Sequence, residues 1–391
     1  MRSNWNVVPF IEAVDICDAL RMPVNSNERA SRIQGKTQEE LYPYYGATGQ
    51  VGFIDSYITD GEYVLLGEDG APFLDAFAKK AYIINGKTWV NNHAHVLRSK
   101  TNNKFLCLYL NSFNFKGYVT GTTRLKLTQA EMKRIPVPVP PLDEQERIVA
   151  RIEELFSQLD SGVETLRKTK QQLAVYRQAA ITEAFSAVNS SPYVYLSDVA
   201  QIIGGITKGR DLSGTETIEL PYLRVANVQN GYLDLAEVKT IQLRADEKER
   251  YLLKYGDVLY TEGGDRDKLG RGTVWRDEIK ECVHQNHVFK ARLDQRKAIP
   301  EYIAFWSMST PARNYFYQKG KQSVNLASIN KTVLSALTLP LPDLGKQQEI
   351  IDHIESRLSV CDSIEQTVDT ALQQAEAMRQ SILKQAFEGE I

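Results

Sequence analysis

The feature that most narrows what this chain can fold into is an internal repeat at a fixed offset of 202 residues. Residues 135–160 read IPVPVPPLDEQERIVARIEELFSQLD, and residues 337–362 read LTLPLPDLGKQQEIIDHIESRLSVCD. Pro138 matches Pro340, Pro140 matches Pro342, Gln145 matches Gln347, Ile152 matches Ile354 and Asp160 matches Asp362. Without a gap the register continues to Arg177-Gln178 against Arg379-Gln380 and Ala184-Phe185 against Ala386-Phe387. Self-similarity of this kind identifies two copies of one structural unit.

Each copy opens with alternating proline and aliphatic residues. The residue before a proline is pushed out of the helical region, so this lead is extended. Apolar residues then recur in steps of three and four over about five heptads, the pattern of a coiled-coil seam. The seam is expected at Ile152, Leu155, Leu159, Leu166 and Leu173 in the first copy. In the second it is expected at Ile354, Cys361, Ile364, Val368, Met378 and Ile382. Some forty residues at about 1.5 Å each make a rod of roughly 60 Å. An isolated rod with an apolar stripe needs a partner. The alternative to two helices of ordinary bundles is that the copies pair with each other, as a spacer between two modules. The expected organisation is globular over 1–140, helical over 141–190, globular over 191–340 and helical over 341–391. The modules echo one another weakly, Trp5 to Val14 with Tyr193 to Ala200, and Ala94-His95-Val96 with Asn286-His287-Val288.

Composition sharpens this. With 391 residues, 42% hydrophobic and 25% charged, the chain is an ordinary globular protein of two or three domains. A mean hydropathy of -0.35 and the lack of any apolar run near ~18 residues exclude a spanning helix. Met1 to Phe10 lacks the basic and apolar regions of a signal peptide, so a cytoplasmic protein is expected. Cys17, Cys107, Cys282 and Cys361 lie far apart without a C-x-x-C, and are expected to be buried thiols, neither zinc ligands nor a disulfide framework. The formal charge of -2 hides a partition. Residues 1–134 carry 16 basic and 13 acidic side chains and residues 191–336 carry 21 and 18, whereas 135–190 carry 6 and 8 and 337–391 carry 4 and 10. Mildly basic modules fit contact with phosphate, and acidic helices fit contact with protein.

Catalytic signatures fail one by one. Gly204 to Arg210 resembles a phosphate loop superficially, but Arg210-Asp211 stands where Lys-Ser/Thr would reach phosphate and magnesium. A metal-dependent nuclease centred on Glu262, Asp265 and Asp267 is the enzymatic alternative, yet the required carboxylate-x-lysine spacing is absent, Asp267 and Lys268 being adjacent. His93 with His95, and His284 with His287, lack a third ligand and read as hydrogen-bonding residues at strand ends. Binding signals are stronger. Arginine reads guanine, and Asn or Gln reads adenine, through paired hydrogen bonds in the major groove, while lysines and amides take phosphate. The second module carries Lys208, Arg210, Arg224, Asn227, Gln229, Arg266, Lys268, Arg271, Asn286 and Lys321 in or beside glycine-rich turns. The first carries Tyr44, Tyr45, Gln50, His95, Arg124 and Lys126. These are the candidate DNA-binding residues; no catalytic or metal residue is assigned. A scaffold that binds no DNA is the third reading.

The arrangement resembles the specificity subunit of type I restriction-modification enzymes. The resemblance rests on the two proline-aliphatic leads followed by LDEQERI and LGKQQEI, and on YPYYGATGQVGFIDSYITDGEYVLLGEDG, PYLRVANVQNGYLDL and YGDVLYTEGGDRDKLGRG, which look like parts of target recognition domains. It covers essentially the whole chain. It implies an α+β fold of two globular α/β target recognition domains, joined and spaced by two long helices in an antiparallel coiled coil with a pseudo-two-fold repeat. It implies double-stranded DNA as ligand, one half-site per domain, and no active site of the chain's own. The partners would be two modification (methyltransferase) subunits with S-adenosylmethionine, and restriction subunits with ATP and Mg; no membrane is involved. Reading surfaces on one side of a duplex would lie about one helical turn apart, roughly 34 Å. Adding one heptad to both helices near their middle is therefore expected to change the spacing of the recognised site and leave both half-sites unaltered. Unchanged spacing in methylome sequencing would reject this ruler.

Overall fold

The computed structural model describes residues 5–264, 269–322 and 327–390. The chain forms two compact units, residues 1–167 with 368–391, and residues 168–367. Both divisions fall inside long helices, Leu142–Ala184 and Leu344–Glu388.

The proline leads become strands. Pro136–Val139 pairs antiparallel with Asn6–Pro9, and Thr338–Pro340 pairs antiparallel with Tyr193–Tyr195. Prolines have no N–H to give a ladder, which confines such strands to small edge ribbons. In both units the ribbon joins the start of the module to its end, and the long helix begins within a few residues. There a glutamine is buried. Gln145 donates to the Pro140 carbonyl at 2.9 Å and accepts from the Thr101 hydroxyl at 3.0 Å. Its repeat mate Gln347 donates to the carbonyls of Pro342 and Lys297 and accepts from Ile299 N–H, each at 2.9 Å. A buried amide is costly without such partners, so each glutamine ties helix to module.

The modules share one strand order despite their different sequences. In the first, Val14–Ile16, Ala94–Ser99, Tyr63–Gly67 and Ala81–Ile84 form an antiparallel sheet in that order. In the second, Ala200–Gly204, Val288–Leu293, Val258–Thr261 and Gly272–Val274 do the same. A second sheet follows suit: Tyr42–Gly46 lies between Gly49–Ile54 and a parallel Lys87–Val90, and Thr217–Leu223 lies between Lys239–Arg244 and a parallel Val283–His284. Strand Tyr63–Gly67 is buried on both faces. Val64 and Leu66 face one core with Phe105, and Tyr63 and Leu65 face another with Val90 and Val96, as the two-residue period of a strand dictates.

The helices complete both cores by exchange. In the first unit Phe387, from the end of the second helix, sets its ring 5.2 Å from Phe105 and 5.3 Å from Tyr109. In the second unit Phe185, just past the end of the first helix, meets Tyr302 at 5.2 Å and Trp306 at 5.1 Å. Ion pairs follow the same rule. Arg177 contacts Asp362 at 2.6 Å and Glu365 at 2.9 Å, Lys170 contacts Glu365 at 3.5 Å, and Glu183 contacts Arg357 at 2.6 Å, so partner numbers fall as the first helix advances and the pairing is antiparallel. Asp160 and Arg379 form the equivalent pair in the first unit.

Two seam expectations are corrected. Ile364 is 40% and Met378 54% exposed. Among the buried positions of the second helix, Ile354, Cys361, Val368, Ala375 and Ile382 form a strict heptad, while Glu365 and Arg379 take the companion positions and pair across the helices. Following apolar residues alone led to the neighbours of these charged seam residues. Ile152 and Leu173 are buried, and Leu155, Leu159 and Leu166 are half-buried. Cys107, Cys282 and Cys361 are buried free thiols, whereas Cys17 is only half-buried.

Two stability predictions arise. Phe387→Ala should destabilise the first unit by about 3–5 kcal/mol, the range for truncating a buried aromatic, read from denaturant unfolding. His284 is fully buried, its Nδ1 2.6 Å from the Val288 carbonyl, and burial pushes its pKa down to about 3. The unfolded chain therefore binds a proton below about pH 6.5 that the folded chain refuses. Stability should fall as pH drops from 6.5 toward 3, at up to about 1.4 kcal/mol per unit from this group. His284→Gln should flatten that slope, and an unchanged slope would remove His284 as its cause.

Candidate nucleic-acid interface

In the first module the hairpin of Tyr42–Gly46 and Gly49–Ile54 turns at Ala47-Thr48, with Gly49 at φ +136. The aromatic run on this hairpin faces inward. Tyr44 is buried, its hydroxyl donating to the Val24 carbonyl at 3.2 Å and its ring lying under the Arg29 guanidinium. Tyr45 is half-buried against Tyr82, whose hydroxyl donates to the Gly46 carbonyl. Gln50 stays exposed, donating to the Gly52 carbonyl at 3.1 Å.

A part-buried ionic cluster surrounds His95. His95 is fully buried, with Nδ1 2.8 Å from Asp18 and Nε2 3.1 Å from the Leu127 carbonyl. Burial works to raise the Asp18 carboxyl pKa, but hydrogen bonds from His95 and the Val96 N–H, with the charge of Arg21, hold it below the ordinary value. Arg21 also pairs with Glu68. His95 is thus a core residue pinning the 120–127 loop, fully buried with both ring nitrogens engaged, and the expectation that it binds DNA is corrected. Tyr44 is corrected for the same reason.

The pinned loop carries the exposed cations. Arg124 Nε lies 2.6 Å from Asp69, and Lys126 Nζ 3.5 Å from Glu68. Asp69 also lies 3.6 Å from Nδ1 of His93. Asp69, His93 and Arg124, together with Gly46, Val51 and Asn91, line a cleft of about 760 Å³. Gly70 adopts φ +76, the left-handed region that favours glycine, and its N–H donates to the Leu125 carbonyl of this loop at 2.9 Å. Asp69, Asn91 and His93 were not among the candidates. The polar run Asn91-Asn92-His93 between two apolar strand segments was the available signal.

In the second module Lys208 is exposed beside Gly209, which has φ +77. Arg210 forks onto Glu247 at 3.0 and 2.9 Å. Arg224 contacts Glu237 at 3.4 Å. Asn227 is buried, donating to the carbonyls of Asp234 and Glu237 and accepting from Arg224 N–H. It pins its own loop, and its expected role as a base reader is corrected. Gln229 accepts from Arg271 at 2.9 Å, a contact that holds the half-buried guanidinium toward the 224–237 loop. Lys321 is exposed on Lys321–Gln322, which pairs with Ala327–Ser328, itself paired with Gly263–Gly264. Asn286 is half-exposed next to His287. Arg266 and Lys268 lie outside the described residues, as do Asp265 and Asp267. Glu262, the remaining member of the nuclease alternative, accepts from His287 at 2.6 Å. Among the described residues no group of three or more His, Cys, Asp or Glu could hold a metal ion, and the nuclease alternative is not favoured.

These surfaces offer arginine, lysine, asparagine and glutamine on glycine-permitted loops, with carboxylates orienting the arginines. Comparison with known proteins agrees. The family described as the type I restriction modification DNA specificity domain matches residues 10–173 and 192–374. A putative type I restriction enzyme specificity subunit of Haemophilus influenzae is 26% identical over 381 residues, covering 94% of this chain and 91% of that protein. The EcoKI specificity subunit of Escherichia coli is 27% identical over 286 residues, covering 69% of this chain and 61% of the relative. Among solved structures, a chain of a type I restriction-modification system aligns with TM-score 0.68 at 16% identity, covering 100% of this chain and 99% of that one. The HsdS subunit of Thermoanaerobacter tengcongensis aligns with TM-score 0.51 at 16% identity, covering 100% and 98%. These two likenesses bear on the fold, which is α+β with two such domains. The chain belongs to the type I restriction-modification DNA specificity family and is a DNA target-recognition subunit.

Proposed function

We propose that the chain reads a split DNA target, one half-site per module, and docks the modification and restriction subunits of a type I complex. The observation that carries this reading is the shared strand order of two modules whose exposed loops differ in sequence. Scaffolds of one strand order with different loops suit two different half-sites. In this reading the recognition domains span 1–140 and 191–340 and the spacers 141–190 and 341–391. The methyl donor, ATP and Mg belong to the partner subunits, the protein works in the cytoplasm, and this chain contributes no catalytic group. Two modification subunits and the restriction subunits would meet the acidic helices.

The base-reading and phosphate-binding side chains in this reading are Tyr45, Gln50, Arg124 and Lys126 in the first module. In the second they are Lys208, Arg210, Arg224, Gln229, Arg271, Asn286 and Lys321, with Arg266 and Lys268. Several of these cations are held by carboxylates, Arg124 by Asp69 and Arg210 by Glu247. A held guanidinium loses little freedom on binding, and its carboxylate can itself accept from cytosine.

Purified chain with its modification subunit should protect a split site on duplex DNA. Lys208→Gln should weaken binding evenly across sequences and reduce the salt slope by about one, whereas Arg271→Ala should relax preference at particular positions of one half-site by about 1–3 kcal/mol. DNA cleavage by the chain with magnesium alone would overturn the reading, and equal behaviour of the two variants would overturn the division between phosphate and base contacts.

A further inference from the structure

Strand pairing aligns the two modules more finely than their sequences do. Gly67 pairs with Ala94 and Leu66 with His95 in the first; Thr261 pairs with Val288 and Tyr260 with Phe289 in the second. His287 therefore corresponds to His93, and not to His95 as the sequence echo suggested. Loop hydrogen bonds repeat in the same register. Asn91 N–H donates to Tyr45 and Gln285 N–H to Leu223, both at 3.0 Å. Glu68 N–H donates to the His93 carbonyl at 2.8 Å and Glu262 N–H to that of His287 at 2.9 Å. Leu127 N–H and Ile329 N–H close the arrangement on the carbonyls of Glu68 and Glu262, both at 2.8 Å.

In this superposition Asn92-His93 coincides with Asn286-His287. The backbone alone makes the shared fold contacts, and the histidine side chains are 41% and 54% exposed. Each presents Nδ1 to a carboxylate, Asp69 at 3.6 Å and Glu262 at 2.6 Å, which leaves Nε2 on the far side of the ring. In the second module the Asn286 amide lies 3.5 Å from that Nε2, so amide and imidazole sit side by side. In the first, the same Asp69 holds Arg124, so His93 stands within the cation-bearing cleft. Packing does not explain why exposed side chains keep their identity at one place in modules whose other loops diverge.

Two modules that read different sequences share the chemistry of the sugar-phosphate backbone and not that of the bases. Phosphate contacts fix register and orientation and carry no sequence information. We infer that Asn92-His93 and Asn286-His287 are equivalent DNA-backbone anchors, one per half-site, in which the asparagine amide and the Nε2–H of the doubly protonated imidazole donate to phosphate oxygens. The carboxylates at Nδ1 position the rings. This inference rests on the DNA-reading function proposed above and adds to it a sequence-independent contact common to both modules.

The test uses the full chain assembled with its modification subunit, a duplex carrying the target defined by methylome sequencing, and duplexes with single base changes in each half-site. At pH 6, His93→Ala and His287→Ala should each weaken binding by roughly three- to tenfold, by the same factor on every duplex, with a shallower salt dependence. His93→Gln and His287→Gln, which keep a donor at the far side of the side chain, should recover part of the loss. Unfolding midpoints of all four variants should match the parent, because the side chains are exposed. If the unaltered complex protects no split site, the function proposed above fails first. If it does, and the alanine variants bind as the parent does, change the ranking of the altered duplexes, or lose assembly with the modification subunit in place of DNA affinity, the anchor is overturned.

Discussion

Burial of one aromatic side chain at the far end of each long helix is the contact on which the remaining architecture depends. Phe185 closes a core built mostly by residues after 190, and Phe387 closes a core built mostly by residues up to 152. Each unit is incomplete without chain from the other half of the sequence. At about 1.5–3 kcal/mol for burying such a side chain, with Ile181 and Ala184 or Leu383 and Ala386 beside it, this exchange is comparable to the whole stability of an ordinary domain. It makes the helices part of both cores. The repeated ion pairs, Arg177 with Asp362 and Arg379 with Asp160, obey the same exchange and select the antiparallel register.

Charge is used in two ways. On the helices, arginines face carboxylates of the other helix, so acidic helices still hold together. On the modules, acids restrain cations at the loops: Asp69 with Arg124, Glu68 with Lys126, Glu247 with Arg210 and Glu237 with Arg224. Exposed pairs of this kind add little stability, with a median of about 0–1 kcal/mol. Their consequence is orientation, which a surface that discriminates base edges requires.

Much of this was legible in the sequence, for identifiable reasons. Prolines restrict their neighbours locally, so the extended leads and helix starts could be read without tertiary knowledge. The heptad period is local too, and Ile152, Ile354, Cys361 and Ile382 are buried in the folded chain. It misled at Ile364 and Met378, because Glu365 and Arg379 occupy seam positions and are stabilised by partners about 180 to 220 residues away that no local period reveals. The loops were less legible. Tyr44, His95 and Asn227 have residue types suited to DNA, yet each is buried with its polar atoms engaged. The equivalence of His93 with His287 emerges only from strand register, since the modules have diverged around it.

By itself the sequence determined that two like halves exist and where their helices run, and its motifs resemble those of a family of DNA specificity subunits. The halves and the helices follow from periodicity and from the covalent limits of proline, which act over a few residues, while the resemblance rests on motifs such as LDEQERI and LGKQQEI. Only the tertiary structure decided which half of the chain completes which core, which polar side chains are structural, and which exposed pair the two modules share. Those depend on burial and on partners remote in sequence, and solvent exclusion is a property of the folded arrangement, not of any residue type.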